Sequence, residues 1–346
     1  MAPEYARDQP GGFSNRMEKV AIVGAGGTLG KYIAQELVKT GKHVVTALTR
    51  SGSTNKLPEG VNPVTVDYDD ETSLVEAMKG HQILIITLAV SAPPGTQSKL
   101  IKAASKAGVP YVMPNAWGTD PLNQELMQDT FFQKPFADAR DEIESLGVSK
   151  WIVLSCGFWY EFSLGGTEDR YGFDFQDRSL VLFDDGDTKI NTSTWAQCGR
   201  AVASFLTLKL LPEDEGDKSP AIENWANRAF YASSFLVSQR DMFESAKRVT
   251  GTTDADWTIS HEHSGERYKK AVDDLQKGDV KGFVRLLYTR VFFPNGDGDY
   301  ESSKGLQNDV LGLPKEDLDE ATKEAIHLAL SGGLEARYSG VASRSS

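Results

Sequence analysis

Gly24-Ala25-Gly26-Gly27-Thr28-Leu29-Gly30 is the segment of this 346-residue chain best suited to chemistry. It follows the apolar run Val20-Ala21-Ile22-Val23 and precedes helical spacing over Lys31 to Lys39. Glycines there let a backbone turn tightly and approach a pyrophosphate, whose charge is stabilised by free amides and a helix N-terminus. The spacing met is G-x-x-G-x-x-G, on Gly24, Gly27 and Gly30, with Thr28 and Leu29 between the last two. The bland alternative is a turn that only packs a helix on a strand. At the end of the next strand stands Arg50, where an acidic residue would hydrogen-bond a ribose 2′-hydroxyl and an arginine accommodates a 2′-phosphate. Lys56 is close enough to add a second cation, so the expected cofactor is NADP(H) rather than NAD(H). Arg50 as a solvated loop residue is the competing reading. Asp67 is placed either to meet an adenine or to form a turn beside Asp69 and Asp70.

Other patterns carry less. Tyr300-Glu301-Ser302-Ser303-Lys304 spells Tyr-x-x-x-Lys, in which a lysine lowers a tyrosine's pKa, but it follows the acidic loop 295–299, far from the glycine turn, and reads as chance. His261-Glu262-His263 lacks a third ligand at metal spacing, so no metal site is expected. Cys156 and Cys198 are too few for a disulfide framework and fit a reducing compartment. Trp117, Phe158, Trp159 and Phe162 fall where strands end, which suggests aromatic walls around a planar substrate or, equally, interdomain core.

The elements that must position these residues alternate. Strands are expected at 20–23, 43–48, 64–66, 82–87, 110–113 and 150–156, with helices at 31–39, 73–80 (capped by Ser73), 96–108 and 131–147. That rhythm implies an α/β fold, a Rossmann-type doubly wound parallel sheet. After Cys156 it breaks: a hairpin is expected at 179–191 around Asp184-Asp185-Gly186-Asp187, then a helix at 194–210, a strand at 228–237 and a helix capped by Ser238. The expected organisation is a disordered tail (1–16), a nucleotide-binding domain (17–158) and a smaller, interleaved α+β substrate domain (159–346). The 194–210 helix and 228–237 strand would return to the main sheet.

Composition narrows the partners. With 37 Lys+Arg against 49 Asp+Glu the net charge is −12, which repels phosphate backbones and argues against nucleic acid. The longest apolar run, Ile83 to Val90, is too short to span a bilayer, and the first 16 residues lack the apolar region of a signal peptide. A cytoplasmic protein is expected, with a small molecule as substrate and a second copy of the chain as the candidate protein partner.

From Lys19 to about Ala203 the residues resemble the isoflavone reductase-like and NmrA-like branch of atypical short-chain dehydrogenases, and are similar to fungal proteins labelled CipA-like. The resemblance rests on the G-x-x-G-x-x-G turn, Arg50, Val66-Asp67-Tyr68, Gln97 in the helix after the fourth strand, Pro114-Asn115-Ala116-Trp117-Gly118 after the fifth, Lys134 in the next helix, Ser155-Cys156-Gly157-Phe158-Trp159-Tyr160 and the 194–203 segment. Plant members read Pro-Ser-Glu-Phe-Gly where this chain has Pro114 to Gly118, and their helix lysine stands slightly nearer the helix end. The resemblance implies cofactor contacts at Thr87, Leu88, Gln97, Pro114, Asn115, Cys156, Gly157 and Phe158. It gives Lys134 the place of the family's helix lysine at the nicotinamide ribose, with an acid/base role, and leaves Tyr160 and Glu161 as fallback acids. It implies an NADPH-dependent reductase acting on an aromatic or conjugated secondary metabolite. An NmrA-like NADP(H) sensor without turnover and a redox-neutral isomerase with resident NADP stay open beside it.

Overall fold

Val20, Ala21, Ile22 and Val23 are all withdrawn from water, Val20 and Ile22 into one apolar cluster and Ala21 and Val23 into another. A strand apolar on both sides must be covered on both sides, which makes it the centre of a layered sheet. The computed structural model describes residues 4–89 and 91–332. The rest of the expected tail (1–3), Val90 and residues 333–346 of the expected substrate domain lie outside the described residues.

The first half comprises β1 (Lys19–Val23), α1 (Gly30–Lys39), β2 (Val44–Arg50), β3 (Asn62–Val66), α2 (Glu71–Met78), β4 (Ile83–Ile86), α3 (Thr96–Lys106), β5 (Tyr111–Met113), α4 (Gln124–Asp129), α5 (Gln133–Leu146) and β6 (Lys150–Ser155). The second comprises β7 (Phe158–Trp159), α6 (Tyr160–Leu164), β8 (Phe173–Asp174), β9 (Ser179–Phe183), β10 (Ile190–Ser193), α7 (Trp195–Leu206), β11 (Arg228–Tyr231), β12 (Phe235–Val237), α8 (Gln239–Thr250), β13 (Thr258–Glu262), α9 (Ser264–Gln276), α10 (Val280–Arg290), α11 (Tyr300–Lys304) and α12 (Leu318–Leu330).

Among the described residues seven parallel strands form the main sheet in the order β11-β6-β5-β4-β1-β2-β3. Helices α1 and α7 cover one face through Ile33, Leu37, Val202 and Phe205, and α2, α3 and α5 cover the other through Leu74, Leu100, Phe136 and Ile143. The expected doubly wound sheet is therefore present. The strand order reverses between β1 and β4, and open sheets of this kind bind ligands at such a switch point, beyond the strands' carboxyl ends. The small sheets β12-β10-β7 and β13-β9-β8 pack around a third apolar cluster with α8 and α12.

Several elements differ from expectation. The segment before β1 is docked rather than frayed: the Ala6 amide donates to the Pro212 carbonyl (2.9 Å), and Asn15 exchanges hydrogen bonds with Leu211 (2.8 and 2.9 Å). The 179–191 segment is no hairpin, because β9 pairs in parallel with β13 while β10 joins β12 and β7. The 228–237 segment is two strands, and only β11 joins the main sheet. Asp70, not Ser73, caps α2 by accepting the Thr72 amide (2.9 Å). The expected 131–147 helix begins two residues later, as α5, and a short helix not expected, α4, precedes it, with Phe131 between them at φ +61°.

Helices α1 and α7 cross so closely that a Cβ built on Gly199 would lie 2.6 Å from the Tyr32 carbonyl oxygen. Backbone cannot yield as a flexible side chain does. Gly199→Ala is expected to destabilise the fold by about 1–3 kcal/mol, read from the midpoint of urea unfolding; an unchanged midpoint would show that the two helices slide apart freely.

Candidate functional site

The site is built from the turn between β1 and α1. Gly24 has φ +83°, and a Cβ on it would lie 2.0 Å from the Thr87 carbonyl oxygen; a Cβ on Gly30 would lie 2.1 Å from the Gly24 carbonyl oxygen. Glycine is thus required at both places, to let α1 start hard against the ends of β1 and β4. The Gly27 amide closes the turn on the Gly24 carbonyl (2.8 Å). The amides of Ala25, Gly26, Thr28 and Leu29 have no acceptor among the described residues, at the positive end of the α1 dipole. This cradle of free amides fits a diphosphate.

The flanking cations follow the same edge. Arg50 ends β2, exposed, and its side chain has neither an ion pair nor a hydrogen bond among the described residues. It is near Tyr68, whose phenol is pushed up by burial while the Arg50 charge opposes that shift. The loop carrying Lys56 folds back over the turn, its Asn55 side chain 2.8 Å from where a Gly26 Cβ would be. The Asp67 carboxylate accepts the Asp69 amide (2.9 Å) as a turn former does.

Beyond the turn, the ends of β4 and β5 are tied by side chains for which the family resemblance implies cofactor contact, and by Trp117. Thr87 donates its hydroxyl to the Val23 carbonyl (2.8 Å). Asn115, just after Pro114, accepts the Leu88 amide (3.0 Å) and donates to the Leu88 carbonyl (3.3 Å), while its own amide donates to Gln97 (2.7 Å). The Trp117 indole donates to the Ile86 carbonyl (2.8 Å), which lays the ring across the end of β4. At the end of β6, Cys156 is buried with its thiol directed to the Gly157 carbonyl (3.6 Å), and the neighbouring Cys156 thiol together with burial holds the Cys198 thiol well above the usual thiol range. Gly157, at φ +65°, lets the chain pass β10: a Cβ there would lie 2.2 Å from the Asn191 carbonyl oxygen.

Trp117, Trp159 and Phe162 are half-buried against the same apolar cluster, together with Tyr32 of α1. Trp159 and Phe162 meet edge to face at 6.1 Å, Trp195 lies 6.4 and 6.5 Å from them, and Tyr32 stacks on Trp195 at 6.1 Å. An aromatic seam thus runs from the first turn of α1, beside the glycine cradle, to α6 in the second lobe. Beneath it the Glu161 carboxylate accepts the Trp195 amide (3.2 Å) at the N-terminus of α7. Burial pushes that carboxyl up to about 8, with Glu316 and Glu324 adding to the shift and the amide bonds opposing it. Trp195 and Glu161's helix contact escaped sequence reasoning, because the interaction spans 34 residues and no spacing announces it.

Three expected residues are elsewhere. Lys134 is on the first turn of α5 with its side chain 82% exposed, paired to Asp138 (2.7 Å). Helix α5 is held down by Phe136, Ala139 and Ile143, and two residues turn a helix by about 200°, so Lys134 points away from the sheet. Tyr160 is wholly buried in the second lobe, its hydroxyl 2.7 Å from Thr322 Oγ1 and its ring edge-on to Phe235; burial drives its phenol far up. It is a packing residue with no path to the cradle. The Phe158 ring turns into the second lobe, 4.4 Å from the Tyr288 ring, leaving only backbone toward the cleft. Tyr300 is likewise buried, donating to the Ala232 carbonyl (3.0 Å). Among the described residues no three His, Cys, Asp or Glu side chains are grouped to hold a metal ion. A cavity of about 680 Å³ opens at the amino ends of β1 and β2, lined by Arg16, Met17, Lys42, His43, Leu206 and Lys209, and includes none of the residues above.

Residues 16–164 match the NmrA-like family. The chain is 29% identical over 311 residues to the oxidoreductase aprR of Aspergillus flavus, covering 87% of this chain and 96% of that one. Among solved structures, the pinoresinol-lariciresinol and phenylcoumaran benzylic ether reductases superpose with a TM-score of 0.69 at 18% identity, over 89% of this chain and 99% of that one. A structure described as AtPrR2 with NADP+ and (+)pinoresinol gives 0.68 at 16% identity, over 90% and 99%. The resemblance drawn from the motifs and the fold drawn from the strand rhythm both hold. No helix among the described residues is long and apolar enough to cross a membrane.

The buried Glu161 makes stability depend on pH. Its folded pKa, about 8, exceeds the 4.5 of an ordinary carboxyl, so its contribution is complete below pH 4.5 and is lost as pH rises toward 8. The slope is at most about 1.4 kcal/mol per pH unit. Urea unfolding of wild type against Glu161→Gln should show this extra fall between pH 5 and pH 8 in wild type only; parallel curves would mean the carboxyl is ionised throughout.

Proposed function

We propose that the chain is an NADPH-dependent reductase acting on a small aromatic or conjugated molecule. The observation that carries this is the glycine cradle, with its unsatisfied amides, joined to an unpaired arginine at the end of β2 and to an aromatic seam on the other side. The amides of Ala25, Gly26, Thr28 and Leu29 would hold the diphosphate, and Arg50 with Lys56 the 2′-phosphate. Bound there, NADPH supplies a hydride. Gln97, Asn115 and Trp117 set the ends of β4 and β5 in place, and Trp117, Trp159 and Phe162 present ring faces to a planar substrate while excluding water. The NADP+ and aromatic ligand bound by a structural neighbour support the same pairing of cofactor and substrate.

Lys134 has no part in proton transfer in this reading, since it is ion-paired on the outer face of α5. That exposed lysine is also the one observation favouring a second reading, a protein that binds NADP(H) as a sensor without turnover.

NADPH oxidation against a panel of aromatic enones and quinones tests the proposal, with coenzyme binding followed separately. Turnover by wild type, retained within about twofold in Lys134→Ala, is expected; tight NADPH binding with no turnover on any member selects the sensor. Arg50→Ala should weaken NADPH binding about 10- to 100-fold, as loss of a charge-assisted phosphate contact does, and leave NADH binding unchanged. Equal loss for both coenzymes would remove the 2′-phosphate assignment.

A further inference from the structure

Arg170 has an unusual position among the chain's arginines. Its guanidinium lies over the Phe162 ring, 3.6 Å from the centroid, and donates to the Phe162 carbonyl. Gly166 makes the room: a Cβ there would lie 2.3 Å from the Arg170 Cδ. The side chain is half-buried, and among the described residues it is the only arginine withdrawn from solvent without a carboxylate partner. Arg200 pairs with Glu316, Arg267 with Glu262, Arg285 with Asp169 and Asp274, and Arg290 with Asp129 and Asp297. The adjacent Asp169 is spent on Arg285 (2.7 Å). In a chain of net charge −12 an unpaired guanidinium taken out of water is a cost that a ligand's anion could offset.

The rest of the seam supplies the body of such a ligand's site. Phe162 and Trp159 meet at 6.1 Å, and the Trp159 indole N–H is buried with no acceptor among the described residues. A guanidinium without a carboxylate partner and an indole N–H without an acceptor thus flank one aromatic ring. A guanidinium matches a carboxylate bidentately, and its stacking on Phe162 fixes the plane in which that pair can form.

We propose that Arg170 is the specificity-determining residue of the cleft and selects aromatic substrates bearing a carboxylate. The inference rests on the reductase reading for the identity of the site, but its test does not require turnover. The probes are trans-cinnamate and its methyl ester, which share ring and double bond and differ in charge. Their binding to the full chain is measured by calorimetry at low salt, with and without NADP+. Wild type should bind cinnamate about tenfold or more tightly than the ester, and Arg170→Gln should abolish the difference while NADPH affinity and the unfolding midpoint stay unchanged. Gly166→Ala, which displaces the Arg170 stem, should reduce the preference without removing the charge. Equal binding of acid and ester by wild type, binding of neither, or a preference that survives Arg170→Gln overturns the proposal. Failure of NADPH to bind, with the acid preference intact, would instead overturn the reductase reading alone.

Discussion

Everything in the cleft depends on how closely α1 approaches β4 through two residues without side chains. A methyl group on Gly24 or Gly30 would fall about 2 Å from a backbone oxygen, nearer than any non-bonded contact allows. Removing those methyl groups lets the helix begin directly above the sheet's switch point. It also leaves the amides of Ala25, Gly26, Thr28 and Leu29 pointing outward without partners. Unsatisfied donors at a helix N-terminus attract an anion, so the same packing solution suits the glycine turn to the binding role proposed for it. The constraint therefore links covalent geometry to function in one step.

The second lobe answers the first through aromatic packing. Tyr32 on α1 stacks on Trp195 of α7, and Trp195 in turn touches Trp159 and Phe162, so the cradle and the second lobe share one continuous apolar wall. Burial pushes the Glu161 carboxyl beneath that wall up to about 8. Arg170, stacked on Phe162 in that wall, is the group of opposite sign with no carboxylate partner among the described residues.

The nucleotide-binding half was readable because its signals are local. Four consecutive apolar residues, a glycine turn and a helical stripe occur in order between Val20 and Lys39, and each is short-range physics. Lys134 shows where this fails. Its residue type suited the family's helix lysine, but the rotational phase of α5 is set by Phe136, Ala139 and Ile143 meeting the sheet, and that phase turns Lys134 outward. The Asp184–Asp187 turn looked like a hairpin, yet β9 takes its parallel partner from β13, about 80 residues on, which no local pattern encodes. Glu161 and Trp195 acquire meaning only from a contact 34 residues apart in sequence. Tyr160 misled for the opposite reason, since a tyrosine beside the site in sequence is turned into the core by its own helix.

The most direct measurement is hydrogen–deuterium exchange of the full chain with and without NADPH. Coenzyme bound as described should slow exchange at the amides of residues 24–30 and in the segment around Arg50, with little change at the amino ends of β1 and β2 near Met17 and Lys42. Protection confined to those amino ends, or none at the glycine turn under saturating NADPH, would contradict the account.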